Sequence, residues 1–324
     1  MSKIRKIPYK GKDHGGFEEE WCCHKKASEW WYATGYLTDM DKKLYSFQFT
    51  LVKPHVFSLE PYVIMLALTD FGATKHYYSQ KTALVSRSVV IDEDTVSFGN
   101  IAKVVKGESS MMLTARHKDF ALDLKLDYGK GAFWHCDNGF LRMGVDAPEE
   151  TTTYYSYTNM PTMGTMALND EIMAVSGKSW FDKQGGTFHL LNRMTHWEWF
   201  SLRFFDDEEM MLFTFPQSDY QDGTYISKNG TARRLVDYKV TPLGFVTVNG
   251  IVYSAGWALS VAGLKEEGYT ITPLMKGQVN LGYYEQLAGI YNQNGEKVGL
   301  CFVELLPGVY NKKISMMTLF KKTD

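Results

Sequence analysis

From Glu29 onward, polar and apolar residues alternate in short runs. Over 44–51, Tyr45, Phe47, Phe49 and Leu51 fall on one face, and Ser46, Gln48 and Thr50 on the other, the period of two that marks a half-buried strand. Residues 61–68 form a second apolar run, and 97–106, 109–117 and 120–127 read as short strands parted by Gly or polar turns. The stretch 18–28 fits a short helix, and 82–90 fits either helix or strand. The second half keeps the rhythm over 171–183, 186–191, 197–205, 210–215, 223–228 and 232–243, with further strands to 316. Asp222-Gly223, Asn229-Gly230, Asn249-Gly250 and Asn294-Gly295 are hairpin signals. Many short strands on tight turns predict an all-β fold, an antiparallel β-barrel or a sandwich, and closing a barrel removes exposed edges.

An aromatic strand, a charged turn and a second apolar strand occur twice, at Glu29-Trp30-Trp31-Tyr32 and at His196-Trp197-Glu198-Trp199. Laying Trp31 on Trp199 gives an offset of 199 − 31 = 168 residues, about half the chain. Two similar β domains from a duplicated ancestor are expected. Residues 151–163, rich in Thr, Tyr and Pro, lie near the midpoint and mark the expected boundary. The predicted division is a loose arm over 1–16, one barrel over 17–162 and a second over 163–324.

Composition narrows the function classes. The 324 residues suit two domains of ordinary size. With 20 Tyr, 19 Phe, 8 Trp and 16 Met, a concave apolar interior suits the chain better than a helical bundle. A formal charge of −2 offers no basic footprint for nucleic acid. Cys22, Cys23, Cys136 and Cys301 show neither a disulfide framework nor zinc-site spacing, so no metal is expected. Neither a dinucleotide fingerprint nor a phosphate loop is present, and no cofactor is expected. The basic residues 1–6 precede no apolar run, which argues against a signal peptide. No run approaches the roughly 18 apolar residues of a membrane span, so stable membrane insertion is not expected. A reduced, cytoplasmic protein is the expectation.

Several motifs stand in a fixed order: Glu29-Trp30-Trp31-Tyr32, then Tyr154-Tyr155-Ser156-Tyr157-Thr158, Ser176-Gly177-Lys178-Ser179-Trp180-Phe181-Asp182-Lys183-Gln184-Gly185-Gly186, Trp197-Glu198-Trp199-Phe200, Tyr283-Tyr284-Glu285 and Val303-Glu304-Leu305. In this the chain resembles the AttH-like, lipocalin-like superfamily that includes hydroxyneurosporene synthase (carotenoid 1,2-hydratase), over nearly its whole length. The resemblance implies two packed lipocalin-type barrels and an apolar pocket for polyenes, terpenoids or polyketide-like molecules. Relatives hydrate isolated double bonds, and fungal cousins act as cyclases of the Diels-Alder kind. The family pattern has His or Arg where this chain has Lys183, and a Trp after the Gln that is missing after Gln184. Phe213 and Phe215 stand nearest to the Tyr and Asp of the carotenoid hydratases. These departures argue against carotenoid hydration itself and leave the fold intact.

Asp182 leads the candidates for chemistry. On a strand, Trp180, Asp182 and Gln184 point the same way, so a barrel-facing Trp180 takes Asp182 inward with it. A carboxyl group among aromatics is desolvated, which favours the acid form that proton transfer to an alkene or carbonyl requires. The competing reading is an acid that bonds a turn or pairs with an Arg. Lys183, which adjoins Asp182, and Gln184 and Glu29 are further catalytic candidates. Glu29 is either a second buried acid or a latch that satisfies nearby donors, and Glu285 and Glu304 carry the same two readings. His196 and Glu198 share a face opposite Trp197 and Trp199, but no third ligand supports a metal. Trp30, Tyr32, Tyr155, Tyr157, Trp180, His196, Trp199 and Glu285 are candidate substrate-binding residues, with core packing as the plain alternative for each aromatic. His189 reads as structural. His135-Cys136-Asp137 adjoins Asn138-Gly139 and reads as a loop whose contiguous residues do not converge, so it is set aside.

Two functions compete. One is a cofactor-independent enzyme that hydrates, dehydrates, isomerises or cyclises a hydrophobic small molecule by proton donation and orientation. The other is a non-catalytic carrier of an apolar ligand. Hydrolysis is disfavoured, because no serine nucleophile elbow is visible.

Overall fold

The structure is a computed structural model that describes residues 4–55, 60–84, 86–143, 148–188, 196–264, 268–280 and 283–306. It is built almost wholly of antiparallel strands, in two units. The first comprises Met1–Arg142 and Glu149–His189, the second Met143–Pro148 and Leu190–Asp324.

In the first unit one sheet runs through Lys75–Ala83, Tyr62–Asp70, Leu44–Lys53, Ser28–Thr38, Glu171–Thr187, Thr151–Leu168, Phe120–Asp127, Ser110–Arg116, Ala102–Lys106, Thr95–Phe98 and Val89–Ile91. It curls as a lipocalin-like half-barrel, and the ring of Tyr77 on its edge strand reaches the ring of Phe120, 6.3 Å between centroids. The concave side holds the apolar core: Trp31, Phe47, Phe49, Leu51, Leu66, Leu124, Tyr155 and Phe181 all belong to it. Each fully buried Phe or Leu there contributes about 1.5–3 kcal/mol relative to exposure.

The second unit is a nearly closed lipocalin-like barrel. Its sheet runs Ala232–Leu235, Tyr220–Ile226, Glu209–Phe215, Glu198–Phe204, Lys297–Leu305, Tyr283–Tyr291, Gly268–Pro273, Trp257–Val261 and Tyr238–Pro242. Across the closure the Tyr238 hydroxyl reaches the carbonyls of Phe213 (2.7 Å) and Asp222 (2.9 Å), and the Gln221 amide donates to the carbonyls of Val236 and Tyr238. Phe200, Leu202, Trp257, Ile271 and Val303 fill the interior.

Several expectations meet a different local structure. The boundary expected at 162 falls inside the continuous Thr151–Leu168 strand, and the first unit extends to His189. The β-branched and aromatic residues of that stretch are strand formers. Pro161 is tolerated there because a register shift between Tyr157 and Met160 precedes it. The arm over 1–16 contains a strand, Lys6–Pro8, paired in parallel with Cys23–Lys25. Residues 18–28 hold a one-turn helix, Phe17–Glu20, followed by that short strand. Strands expected beyond 306 lie outside the described residues.

The repeat is present in another register. The hairpin pairs Thr38↔Leu44 and Arg203↔Glu209 close turns of equal length, which sets the offset at 203 − 38 = 165. That offset carries Leu37, Tyr45 and Phe47 onto Leu202, Met210 and Leu212, all core residues. The offset of 168 would lay Trp31, a core residue, on Trp199, which points away from the second core. An odd slip between the two alignments exchanges the faces of a strand.

Among the described residues no helix is long and apolar enough to cross a membrane, and no group of three or more His, Cys, Asp or Glu could hold a metal ion. None of the four cysteines forms a disulfide, and all are buried.

Candidate functional site

The Glu171–Thr187 strand is central in the first unit, and its two faces differ in kind. Phe181 and Lys183 point to the concave side, with Tyr155, Tyr157 and Trp31. Trp180, Asp182 and Gln184 point to the other. Cross-strand pairing puts Ser156 and Tyr32 beside Asp182, Tyr154 and Trp30 beside Gln184, and Thr34 beside Trp180. Thr50 and Gln48 continue this face on the next strand. It is a polar yet buried surface: Trp180, Ser156, Thr34 and Gln184 are shielded from solvent, and Asp182 is 3% exposed. The expectation that a buried Trp180 carries Asp182 into a barrel interior is therefore met by a different geometry. Both are buried on the face opposite the barrel core.

Three donors converge on one oxygen of Asp182. Trp180 Nε1 lies 2.5 Å from Oδ1 and the Tyr154 hydroxyl 3.1 Å, and Ser156 Oγ donates to the same atom at short range. Beyond Ser156 stands His135, whose Nε2 is 2.7 Å from Ser156 Oγ. Because the serine proton is committed to Asp182, His135 Nε2 is the donor in that contact, and Nδ1 carries a lone pair. The imidazole lies parallel to the Trp180 indole, 6.1 Å between centroids, and 4.5 Å from the Tyr154 ring. Complete burial pushes its pKa down to about 3, so the ring is neutral. Gln184 is anchored by its amide, 2.8 Å from Thr152 Oγ1.

His135 reaches this position through a local break in strand pairing. Ala132–Trp134 and Phe140–Arg142 both pair with the Thr151–Leu168 strand, and the chain between them loops out. Cys136, Asn138 and Gly139 adopt positive φ there. His135 N reaches the Tyr154 carbonyl at 3.1 Å, and Gly139 N closes the turn onto the His135 carbonyl at 2.6 Å. The segment is a loop, as its sequence indicates, but its first residue is stitched to the sheet while Asp137 projects outward.

Glu29 and Lys183 belong to a separate cluster on the concave side. Lys183 Nζ lies 2.8 Å and Lys53 Nζ 3.0 Å from the Glu29 carboxylate. His24 Nδ1 lies 3.1 Å from Glu29 and its Nε2 3.2 Å from Glu20. The His24 amide and the Cys23 thiol also donate to Glu29 Oε1. Burial alone would raise the Glu29 pKa, but Lys183 and Lys53 outweigh it and hold the carboxyl well below 4.5. Burial opposes charge on His24 too, yet its bonds to Glu20 and Glu29 push its pKa above 6.5. Lys183 also lies over the Trp31 ring, 4.4 Å from its centroid. The Glu29 carboxylate is thus buried and surrounded by Lys183, Lys53, His24 and Cys23. Tyr155 packs among Phe17 and Trp134, with its hydroxyl pKa raised well above the ordinary value by burial.

The remaining candidates lie in the second unit. Trp199 and Glu285 point away from its core, with Glu304 paired to both across the strands and bonded by Trp197 Nε1 at 2.7 Å. Asn280 Nδ2 donates to Glu285 at 3.3 Å. His196 is buried just ahead of this strand. Glu198 points inward instead, and takes the Ser254 hydroxyl at 2.6 Å. The alternation that separates His196 and Glu198 from the two tryptophans therefore separates two environments. His189 lies outside the described residues.

The sequence-derived set thus divides. Asp182, Gln184, Trp180, Tyr32 and Trp30 share one face, Glu29, Lys183, Tyr155 and Tyr157 share the other, and His196, Trp199 and Glu285 lie in the second unit. Tyr154 and Ser156 join Asp182 without having been singled out, and His135, set aside with Cys136 and Asp137 as part of a loop, joins them. Alternation along Tyr154-Tyr155-Ser156-Tyr157 was the available signal for the first two; for His135 the loop reading was right, but the bond to Ser156 made by the first residue of the loop has no signal in the sequence.

Residues 12–308 match the model of the AttH-like family. Among solved structures, an AttH protein from Nitrosomonas europaea is similar at a TM-score of 0.83 and 22% identity, covering 94% of this chain and 100% of that one. Kievitone hydratase from Nectria haematococca is similar at a TM-score of 0.69 and 16% identity, covering 87% of this chain and 89% of that one. At these identities the likeness is one of fold. No curated protein matches the chain in sequence.

Proposed function

The chain is a member of the AttH-like family, and on that footing we propose that it is a cofactor-independent enzyme that moves a proton to or from a C=C or C=O group of a hydrophobic small molecule. The reaction class is hydration, dehydration, isomerisation or cyclisation, and Asp182 is the proton-transferring group. One observation carries the proposal: a buried carboxyl group with three donors gathered on Oδ1. That arrangement fixes the plane of the carboxyl group and assigns the acceptor role to Oδ1, so in the acid form the transferable proton sits on Oδ2. Trp180, Tyr154 and Ser156 then stabilise the carboxylate left after proton delivery. Trp30 and Tyr32, on the same face, are the proposed apolar and polar contacts for substrate. The hydratase among the structural neighbours supports the reaction class.

Asp182→Asn tests this. The amide oxygen still accepts at the Oδ1 position, but the acid is gone. With kievitone and acyclic polyenes such as neurosporene as probes, the variant should bind as the wild type does and lose turnover by about 10²–10⁴-fold, the range of general acid catalysis. Unchanged turnover would overturn the assignment. Binding without product in the wild type would identify a carrier.

A further inference from the structure

His135 Nδ1 is buried and has no hydrogen-bond partner, and Ser156 uses both of its neighbours, donating to Asp182 and accepting from His135 Nε2. On the same face of the sheet the buried Thr34 hydroxyl also lacks a partner. Leaving a buried acceptor unpaired costs about 1–3 kcal/mol. A tautomer that offered its N–H elsewhere would break the contact with Ser156. The orphaned lone pair is thus dictated by the chain Asp182–Ser156–His135, and an O–H donor is what it lacks.

Resting on the reading of Asp182 as the proton donor, we propose that His135 Nδ1 holds the second reactant of the site, an O–H group, so that the chemistry is addition of O–H across a double bond or its reverse. The oxygen comes either from water or from a hydroxyl of the substrate itself. Asp182 gives its proton to one alkene carbon, and the cation left on the other carbon takes the oxygen. The O–H proton passes to His135 Nδ1. Ser156 returns a proton to Asp182 at Oδ1, the oxygen it faces, and His135 Nε2 returns one to Ser156; proton exchange with the next O–H reactant restores the Oδ2 proton and the Nε2–H tautomer before another turnover. One C–O and one C–H bond have formed, one C=C π bond and one O–H bond have broken, and the chain holds as many protons as before. The imidazole has exchanged Nε2–H for Nδ1–H without carrying a net charge.

Substitution by Gln separates the two nitrogens, because its terminal amide can donate to Ser156 as Nε2 does while the Nδ1 acceptor disappears. Long-range proton–nitrogen correlation on protein with isotope-labelled histidine reads the tautomer directly. His135 should show a protonated Nε2 and an unprotonated, hydrogen-bonded Nδ1 from about pH 5 to about pH 8. A protonated Nδ1 in this range would overturn the proposal. A high-resolution crystal structure should place an oxygen within about 3.2 Å of Nδ1, and only carbon neighbours there would also overturn it. Neither measurement depends on Asp182 being the acid, so the two readings fail separately. With kievitone as probe, His135→Gln should keep its melting temperature and lose turnover about 100-fold, and unchanged turnover counts against the role. In heavy-oxygen water, label in the product identifies water as the source, and an unlabelled ring-closed product identifies the substrate hydroxyl.

Discussion

Asp182 and Lys183 are neighbours in the chain and serve opposite sides of one sheet. The Asp182 carboxyl takes the Trp180 indole N–H at 2.5 Å on the polar face, while the Lys183 ammonium meets Glu29 at 2.8 Å on the concave face. Adjacent positions on a strand thus carry unrelated duties, and substitutions should separate them. Lys183→Met leaves Glu29 short of a cation in a buried site, at an expected cost of about 3–5 kcal/mol in chemical denaturation. Asp182→Asn should cost no more than about 1–2 kcal/mol. Equal losses from both would contradict the division of roles.

The Glu29 cluster sets a pH window for stability. The depressed Glu29 pKa contributes stability that is complete above about 4.5 and is lost as pH falls through the folded value. The raised His24 pKa contributes stability that is complete below about 6.5 and is lost as pH rises through its folded value. The melting temperature should therefore peak between these limits. His24→Gln should lower that peak and flatten the alkaline limb. A wild-type melting temperature that stays level as pH rises past the folded His24 value would refute the charged state of His24.

The Tyr238 hydroxyl helps to close the second barrel, beside the Gln221 amide that donates to the Val236 and Tyr238 carbonyls. Tyr238→Phe removes the donor shared by the Phe213 and Asp222 carbonyls. It should destabilise by about 1–3 kcal/mol and speed amide hydrogen exchange in Tyr220–Ile226 and Tyr238–Pro242. Exchange unchanged in both strands would show that the barrel closes by other means.

Gly177 lies where the strands approach too closely for a side chain. A methyl group there would run into the carbonyl of Tyr36, which is backbone and cannot swing away. Gly177→Ala should cost about 1–3 kcal/mol through local strain, visible as a lower denaturation midpoint with an unchanged slope. An alanine variant as stable as the wild type would show that the two strands can separate locally.

The sequence reveals much of the architecture because alternation is a local property. Tyr45, Phe47, Phe49 and Leu51 announce a strand and a face wherever they occur, and the ordered Trp, Tyr and Glu motifs carry the family resemblance. Alternation does not say which face meets the core. Trp31 turns inward while Trp199 turns outward, and only the pairing of Thr38 with Leu44 and Arg203 with Glu209 fixes the register. The site is less legible for the same reason. Ser156 lies 26 positions from Asp182 and His135 a further 21 from Ser156, so strand pairing and an excursion of the chain bring them together. Glu29 is surrounded by Lys53, His24 and Lys183, and no spacing rule names those partners in advance.

The four buried thiols turn the protein into its own clock. Cys22, Cys23 and Cys136 lie in the first unit and Cys301 in the second, all sheltered from solvent, and burial suppresses the thiolate of Cys23 and Cys301. An alkylating reagent reaches them when the surrounding structure opens: the strands about Cys23 and Cys301, and the connecting segments that hold Cys22 and Cys136. The order in which the sulfurs are capped, read by mass spectrometry after timed exposure, therefore reports which of the two units breathes open first.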